Sequence, residues 1–280
     1  MAAAGQGRPQ PREPGFRPGG AAKMAGGSAG IAGSVPGVAQ TLFDARVAAR
    51  YETYWPEVFE PAVIGPAVSF LAGLAGNGRA LELAAGTGRL ALPLARRGVQ
   101  VHGIELSEPM AARLREQPGG DQVEVTIGDM ATTTAGGPFR LAYLVRNTIT
   151  NLTTQDEQAQ CFQTVAAQLE PGGCFVIENY IPQLQRLPPG ETTRVFIATP
   201  AHIGIEQYDT AAQIAVSTHY WTIDGQMETF SSPHRYLWPG ELDLMAKIAG
   251  MRLRERCANW RREPFTSDSA GHISVWEKTG

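Results

Sequence analysis

Residues 80–90 read ALELAAGTGRL. An apolar run, interrupted by one acid, stops at a pair of glycines, and a helix-like pattern, LALPLARRG, follows. Strand, glycine turn and helix in that order bring backbone close to a ligand, because glycine enters φ > 0 freely and carries no side chain to obstruct the approach. Gly86-Thr87-Gly88-Arg89-Leu90-Ala91 is a G-x-G-x-x-A element. Glu105 lies about 20 residues further on, at the end of the next strand-like run, where a carboxylate can grip a ribose diol.

The sequence around this turn alternates. Strands are expected over 80–85, 100–106, 123–128, 140–145 and 174–178, and helices over 89–97, 108–116 and 155–169. Thr154 and Glu157 form a capping box ahead of the last helix, whose apolar face is Phe162, Val165, Ala166 and Leu169. Such alternation predicts an α/β fold with a parallel sheet covered on both faces. After Tyr180 it breaks. TRVFIATP, HIGIEQY, AAQIAVSTHYWTI and QMETFSSPHRYLW read as successive antiparallel strands, with Asp224-Gly225 as a hairpin turn. A helix in GELDLMAKIAG and strands at 252–259 and in HISVWEK complete the chain. Upstream, TLFDARVAARYETYWPEVFEP suits a helix interrupted at Pro56 and Pro61, and PAVSFLAGLAG a second one closed by Gly76 or Gly78. Residues 1–40 are rich in Gly, Ala and Pro, have no period, and are expected to be disordered. Met24 offers a second translation start. Residues 41–280 form one domain, with 194–237 as an antiparallel insertion.

The totals narrow the function. The chain has 280 residues, a formal charge of −3 and 43% hydrophobic residues, which suits one large domain with a sizeable core. No run of eighteen apolar residues predicts a membrane span. The first residues hold Arg and Pro without an apolar segment, so no signal peptide is expected. The mild acidity argues against a nucleic-acid partner. Cys161, Cys174 and Cys257 are an odd, scattered set that makes neither a disulfide framework nor a zinc spacing. Buried free thiols in a cytoplasmic protein, with no metal, are the expectation.

Two ligands suit the turn, a nicotinamide dinucleotide and S-adenosylmethionine. The first would place its pyrophosphate on the helix N-terminus, and an oxidoreductase is the alternative function. Three details favour the second. Glu82, inside the first strand, opposes a pyrophosphate but suits an ammonium and a sulfonium. Gly128-Asp129-Met130 ends the third strand with a carboxylate and an apolar neighbour, a pair suited to an adenine. No second domain follows the alternation, only a meander able to roof a pocket.

Together, LELAAGTGRLALPLARRG, VHGIELSEPM, VTIGDM and QLEPGGCFVIE resemble the class I S-adenosylmethionine-dependent methyltransferases, over roughly residues 45–280. The resemblance implies a Rossmann-like sheet of seven strands whose last strand runs antiparallel, and the extra meander after the fifth strand resembles that of small-molecule enzymes. It also implies roles. Gly86, Thr87 and Gly88 would admit the methionine moiety, with Glu82 orienting that end. Glu105 would bind the ribose hydroxyls, and Leu106, Met110, Asp129 and Met130 would frame the adenine. Arg146 and Asn147 would line the methionine end with backbone atoms, and Tyr51 resembles the aromatic of a closing N-terminal helix. The family usually has glycine where this chain has Ala84, which implies a less intimate backbone contact there.

The acceptor is less legible. An amine needs little help beyond alignment, whereas a phenol or alcohol usually needs a general base. His219 and His234 on the meander are the candidate bases. His219 shares a face with Ser217 and Trp221 at strand spacing. Asn179, Tyr180 and Tyr220 are candidate substrate contacts. His102, His202 and His272 lie in or near strand starts and are set aside. Amide and adenine N-methyltransferases of this fold carry an Asn/Asp-Pro-Pro-aromatic motif after the fourth strand, where this chain has Arg146-Asn147-Thr148-Ile149. A small metabolite is therefore the expected substrate, and a homodimer the expected assembly.

Overall fold

A computed structural model describes the chain from Leu42 to Gly280. The expectation of disorder over 1–40 lies outside the described residues.

The strand expected at the head of the quoted stretch is β1, Ala80–Leu83. All four of its residues are buried, as in a central strand of a parallel sheet covered on both faces. It pairs in parallel with β2, Val101–Glu105, and with β4, Phe139–Leu144. β3, Glu124–Ile127, extends the β2 edge, and β5, Leu169–Tyr180, lies beside β4. The next four strands form a separate sheet. The chain then returns with β10, Met251–Cys257, and β11, Gly271–Lys278. β11 inserts antiparallel between β5 and β10, so the seven-stranded order is β10-β11-β5-β4-β1-β2-β3. This is the predicted sheet.

Local chemistry explains the helices. α1, Ala45–Tyr54, is capped by the Asp44 side chain on the amide of Val47. A 3-10 turn over Pro56–Phe59 follows, and Pro61 opens α2, Pro61–Ala75, which Gly76 closes at φ 53°. Both prolines sit in first turns, where their missing N–H costs no hydrogen bond. α3 spans only Ala91–Ala95, shorter than the 89–97 expected. Gly86 and Gly88 hold positive φ up to its start, and Pro93 in its middle can donate no backbone bond. α4, Glu108–Glu116, is capped by Ser107. α5, Gln155–Gln168, begins with the predicted capping box, and α6 is Pro239–Ile248. Helices α2 and α3 pack on one face of the sheet and α5 and α6 on the other. No helix among the described residues is long and apolar enough to cross a membrane.

The insertion is a four-stranded antiparallel sheet of β6 (Thr193–Ala198), β7 (His202–Asp209), β8 (Ile214–Ile223) and β9 (Gln226–Arg235), in that spatial order. Asp224 and Gly225 both take positive φ, 51° and 74°, the two-residue turn whose twist matches a hairpin. The inner face of this sheet meets α1. Tyr54 stacks on Trp221 with ring centroids 4.5 Å apart, and Trp55 stands edge-on to Trp221 and Phe230. Glu228 bonds Tyr54 and Arg50, and Arg46 at 3.2 Å, clamping the helix to β9.

Candidate active site

The candidate site lies where β1, β2 and β4 end, at the crevice where a doubly wound sheet takes its ligands. The glycine turn is strained toward left-handed backbone. Ala84, Gly86 and Gly88 have φ of 52°, 58° and 83°. At Gly88 a Cβ would come within 2.9 Å of Leu92 and Leu114, so glycine is needed for space as well as for φ. Ala84 adopts a glycine-like conformation although it has a Cβ. The departure from the family pattern leaves the backbone path intact and puts its cost in strain.

Glu105, buried at the end of β2, joins the turn to β2. One carboxylate oxygen accepts the amide of Gly86 and the other the amide of Ser107, both at 2.8 Å. Burial raises its pKa, and these backbone bonds oppose the rise. Each oxygen keeps a second lone pair for a further donor. Glu82 is 3% exposed on the α2–α3 face and accepts the hydroxyl of Tyr143 at 3.1 Å. Burial pushes its pKa up to about 8, with Arg89 and the Tyr143 bond pulling the other way. Leu106 is partly exposed beside Glu105, whereas Met110 and Met130 are buried. One oxygen of Asp129 accepts the amide of Ala131 at 2.7 Å.

Beyond β4, Arg146 and Asn147 take φ of 56° and 61°. The Arg146 amide donates to the Glu178 carboxylate at 2.8 Å, and the Asn147 amide to the Glu178 carbonyl at 3.1 Å. The carbonyl of Asn147 is taken by Thr150. Three of the four backbone groups expected to line the site are thus engaged internally, and the Arg146 carbonyl has no hydrogen-bond partner among the described residues. The Arg146 guanidinium is a further available group. It stands 5.9 Å from the Trp55 ring, and its buried Nη1 has no hydrogen-bond partner among the described residues. Nor does the buried hydroxyl of Thr87. A buried polar group without a partner is rare enough to mark a place where a ligand or water completes the bonding. Tyr51, on α1, packs against Trp55 and Phe59.

The meander contributes one face. Ser217, His219 and Trp221 point inward, toward α1, and strand alternation turns Tyr220 to the opposite face. Tyr220 therefore stands apart from the substrate contacts it was grouped with. Asn179 is also displaced. It is 1% exposed and opposite His272 in the β5–β11 pair, on the other side of the sheet from Glu178 and Tyr180. The Tyr180 hydroxyl is buried without a hydrogen-bond partner among the described residues, close to Glu206, Tyr208 and Tyr236.

The two candidate bases differ. His234 is bonded at both nitrogens, Nδ1 to Asn151 Oδ1 at 3.1 Å and Nε2 to Ser232 Oγ at 2.8 Å. His219 bonds through Nδ1 alone, to Nε2 of His202 at 2.8 Å, and its own Nε2 has no protein partner among the described residues. Burial, then His202, His234 and Arg146, push the pKa of His219 down to about 4, so it is neutral at neutral pH. His202, set aside by sequence, is thus in direct contact with a candidate base. Glu178, Arg89 and Trp55 were also missed. Arg89 stood inside the quoted turn, and Glu178 at the end of β5 mirrors the placement of Glu105 on β2.

A family model described as a methyltransferase domain matches residues 80–173. The CcbJ methyltransferase of Streptomyces caelestis is 35% identical, with 85% of this chain and 98% of that one covered and a TM-score of 0.76. The chain belongs to the class I S-adenosylmethionine-dependent methyltransferases. The cypemycin N-terminal methyltransferase of a Streptomyces species is 26% identical over 208 residues, covering 71% of this chain and 82% of that protein. The amino pentose methyltransferase CalS10 of Micromonospora echinaspora shares the fold at 19% identity and a TM-score of 0.64, covering 82% of this chain and 96% of that one. The nicotinamide alternative receives no support. The site of this methyltransferase suits its cofactor. The unpartnered Thr87 hydroxyl and Arg146 Nη1 border the turn regions that would meet the methionine end. The acid of Glu82 suits its cationic groups, and the spare lone pairs of Glu105 suit ribose hydroxyls.

Proposed function

We propose that this methyltransferase moves a methyl group to an N or O atom of a small-molecule metabolite, with His219 taking the acceptor's proton. The bound sulfonium supplies an already activated methyl, so the protein's task is alignment, exclusion of water and management of one proton. Glu82, Ala84, Gly86, Thr87 and Gly88 hold the methionine end with Arg146. Glu105, Leu106, Met110, Asp129 and Met130 hold the nucleoside, and Tyr51 covers it. The meander roofs the acceptor. Its aromatic inner face, with Trp55 and Tyr180, suits a flat or partly apolar molecule. The observation that carries the base assignment is the free Nε2 of His219, against the saturated ring of His234. The curated relative named for an N-terminal amine favours nitrogen as the acceptor atom. Three buried, unpaired cysteines and the net negative charge support a cytoplasmic enzyme without a nucleic-acid partner, and the exposed apolar residues Ile203 and Met227 support a homodimer through the outer face of the meander.

The test is methyl transfer from the labelled cofactor to a panel of amines, phenols and amino sugars, with His219→Gln and His234→Gln alongside. Transfer should fall by about 100-fold or more in His219→Gln, the scale of general-base catalysis, with cofactor affinity intact. His234→Gln should lower stability and leave kcat near wild type. Wild-type transfer by His219→Gln removes the base and leaves an amine acceptor that needs none.

A further inference from the structure

His202 and His219 are 17 positions apart in sequence but meet across the β7–β8 pair, where His202 lies opposite Trp221 and Gly204 opposite His219. Their rings and the Trp221 indole lie near-parallel, each 4.8–5.1 Å from the other two. His219 lies 4.9 Å from Trp221 at 4°, and 5.1 Å from His202 at 26°. Trp55, Phe196 and Phe230 close around His219 at 5.3–6.5 Å. An imidazole packed among these rings and tethered at Nδ1 is held in one orientation. Only its Nε2 remains to meet a ligand.

We infer that His202 is the positioning residue for the methyl-transfer base: its Nε2 accepts the Nδ1–H of His219, which fixes the tautomer of His219 that carries its lone pair on Nε2. The inference rests on the proposed role of His219 and names the residue through which that role is set. When the acceptor's N–H or O–H bond breaks, its electron pair stays on the acceptor atom and the proton bonds to Nε2 of His219. The resulting imidazolium keeps its Nδ1–H directed at His202, which spreads the charge. Solvent then takes the proton, and the pair returns to neutral.

The surroundings fit a pair that rests neutral. Arg146 from the turn after β4, His234 from β9 and His202 from β7 all face His219 and disfavour its charged form, so the imidazolium is short-lived and gives its proton up to solvent. Glu57, from the turn after α1, faces His202 and is the negative group on the outer side. Gly204, opposite His219, leaves the room that Phe196 fills, since a Cβ there would fall 2.4 Å from that ring.

Two variants separate positioning from packing. His202→Phe keeps a ring in the stack but loses the acceptor. His202→Gln loses the ring but keeps an acceptor oxygen. Positioning predicts that kcat falls by about 10- to 100-fold in His202→Phe, the usual scale for a supporting contact, with KM unchanged, and that His202→Gln recovers part of it. The reverse ranking, with Phe the better enzyme, overturns the inference. Side-chain nitrogen NMR of the full chain reads the tautomer independently of turnover. His219 should be protonated on Nδ1 in the wild type and lose that preference in His202→Phe. Protonation on Nε2 in the wild type overturns the inference whatever the rates. A wild-type rate in His219→Gln overturns instead the base assignment beneath it, and the NMR result still decides the direction of the His202–His219 bond.

Discussion

The carboxylate of Glu105 accepts the amide of Gly86 at 2.8 Å, so the end of β2 and the turn after β1 are held as one piece. With its other oxygen on Ser107, the same group organises both loops that border the nucleoside region. Glu105→Ala should weaken cofactor binding by about 1–3 kcal/mol, the range for charge-assisted bonds, and should also lower Tm because two amides lose their acceptor. Calorimetric titration of the folded variant is the measurement. An unchanged affinity would take Glu105 out of the site.

The turn predicts opposite responses at two small residues. Gly88→Ala meets Leu92 and Leu114 at 2.9 Å in a backbone of φ 83°, and should cost roughly 2–4 kcal/mol. Ala84→Gly relieves a φ of 52° while loosening the unfolded chain, two effects of about 1 kcal/mol with opposite signs. It should leave stability within about 1 kcal/mol of wild type. Denaturant midpoints decide both. A Gly88→Ala variant as stable as wild type would contradict the close packing of Leu92 and Leu114 on this position.

Glu82 makes stability depend on pH in an unusual direction. Its folded pKa is about 8 against an ordinary 4.5. Between those values the unfolded chain has released the proton and the folded one has kept it. The contribution is therefore complete below pH 4.5 and declines by about 1.4 kcal/mol per pH unit as pH rises toward 8. Glu82→Gln lacks this decline, so its stability relative to wild type should improve steadily from pH 5 to 8. Calorimetry in buffers of different ionisation enthalpy should also show proton release on cofactor binding near pH 7, as a cation arriving beside Glu82 ionises it. Parallel pH profiles for the two proteins would exclude the raised pKa.

Glu228 gathers Arg46, Arg50 and Tyr54 and so fastens α1 to the meander. Glu228→Ala should accelerate amide exchange across Ala45–Tyr54 while the strands of the main sheet keep their protection. Hydrogen exchange read by mass spectrometry distinguishes this local release from global loss of stability, which would raise exchange everywhere.

Much of the fold was written in local chemistry. The capping box at Thr154 and Glu157, the cap at Ser107 and the Asp224-Gly225 turn act within a few residues, and the elements they bound lie where periodicity put them. The glycine turn and its acid were legible for the same reason, since each strand end of a βα unit sits at a predictable distance along the chain. Period-2 alternation also tied His219 to Ser217 and Trp221.

What alternation could not decide was which face of the meander looks inward. That was settled by Tyr54 and Trp55 docking on Trp221, a contact between segments more than 160 positions apart. The register between β7 and β8 brought His202 onto His219, and the saturation of His234 came from Asn151, on a turn of the other sheet. The amides of Arg146 and Asn147 were consumed by Glu178 across the β4–β5 pair. Sequence by itself determined the elements and the cofactor turn, because backbone propensity and caps are short-range. Tertiary structure alone decided which histidine keeps a free lone pair, because that depends on partners supplied by distant strands.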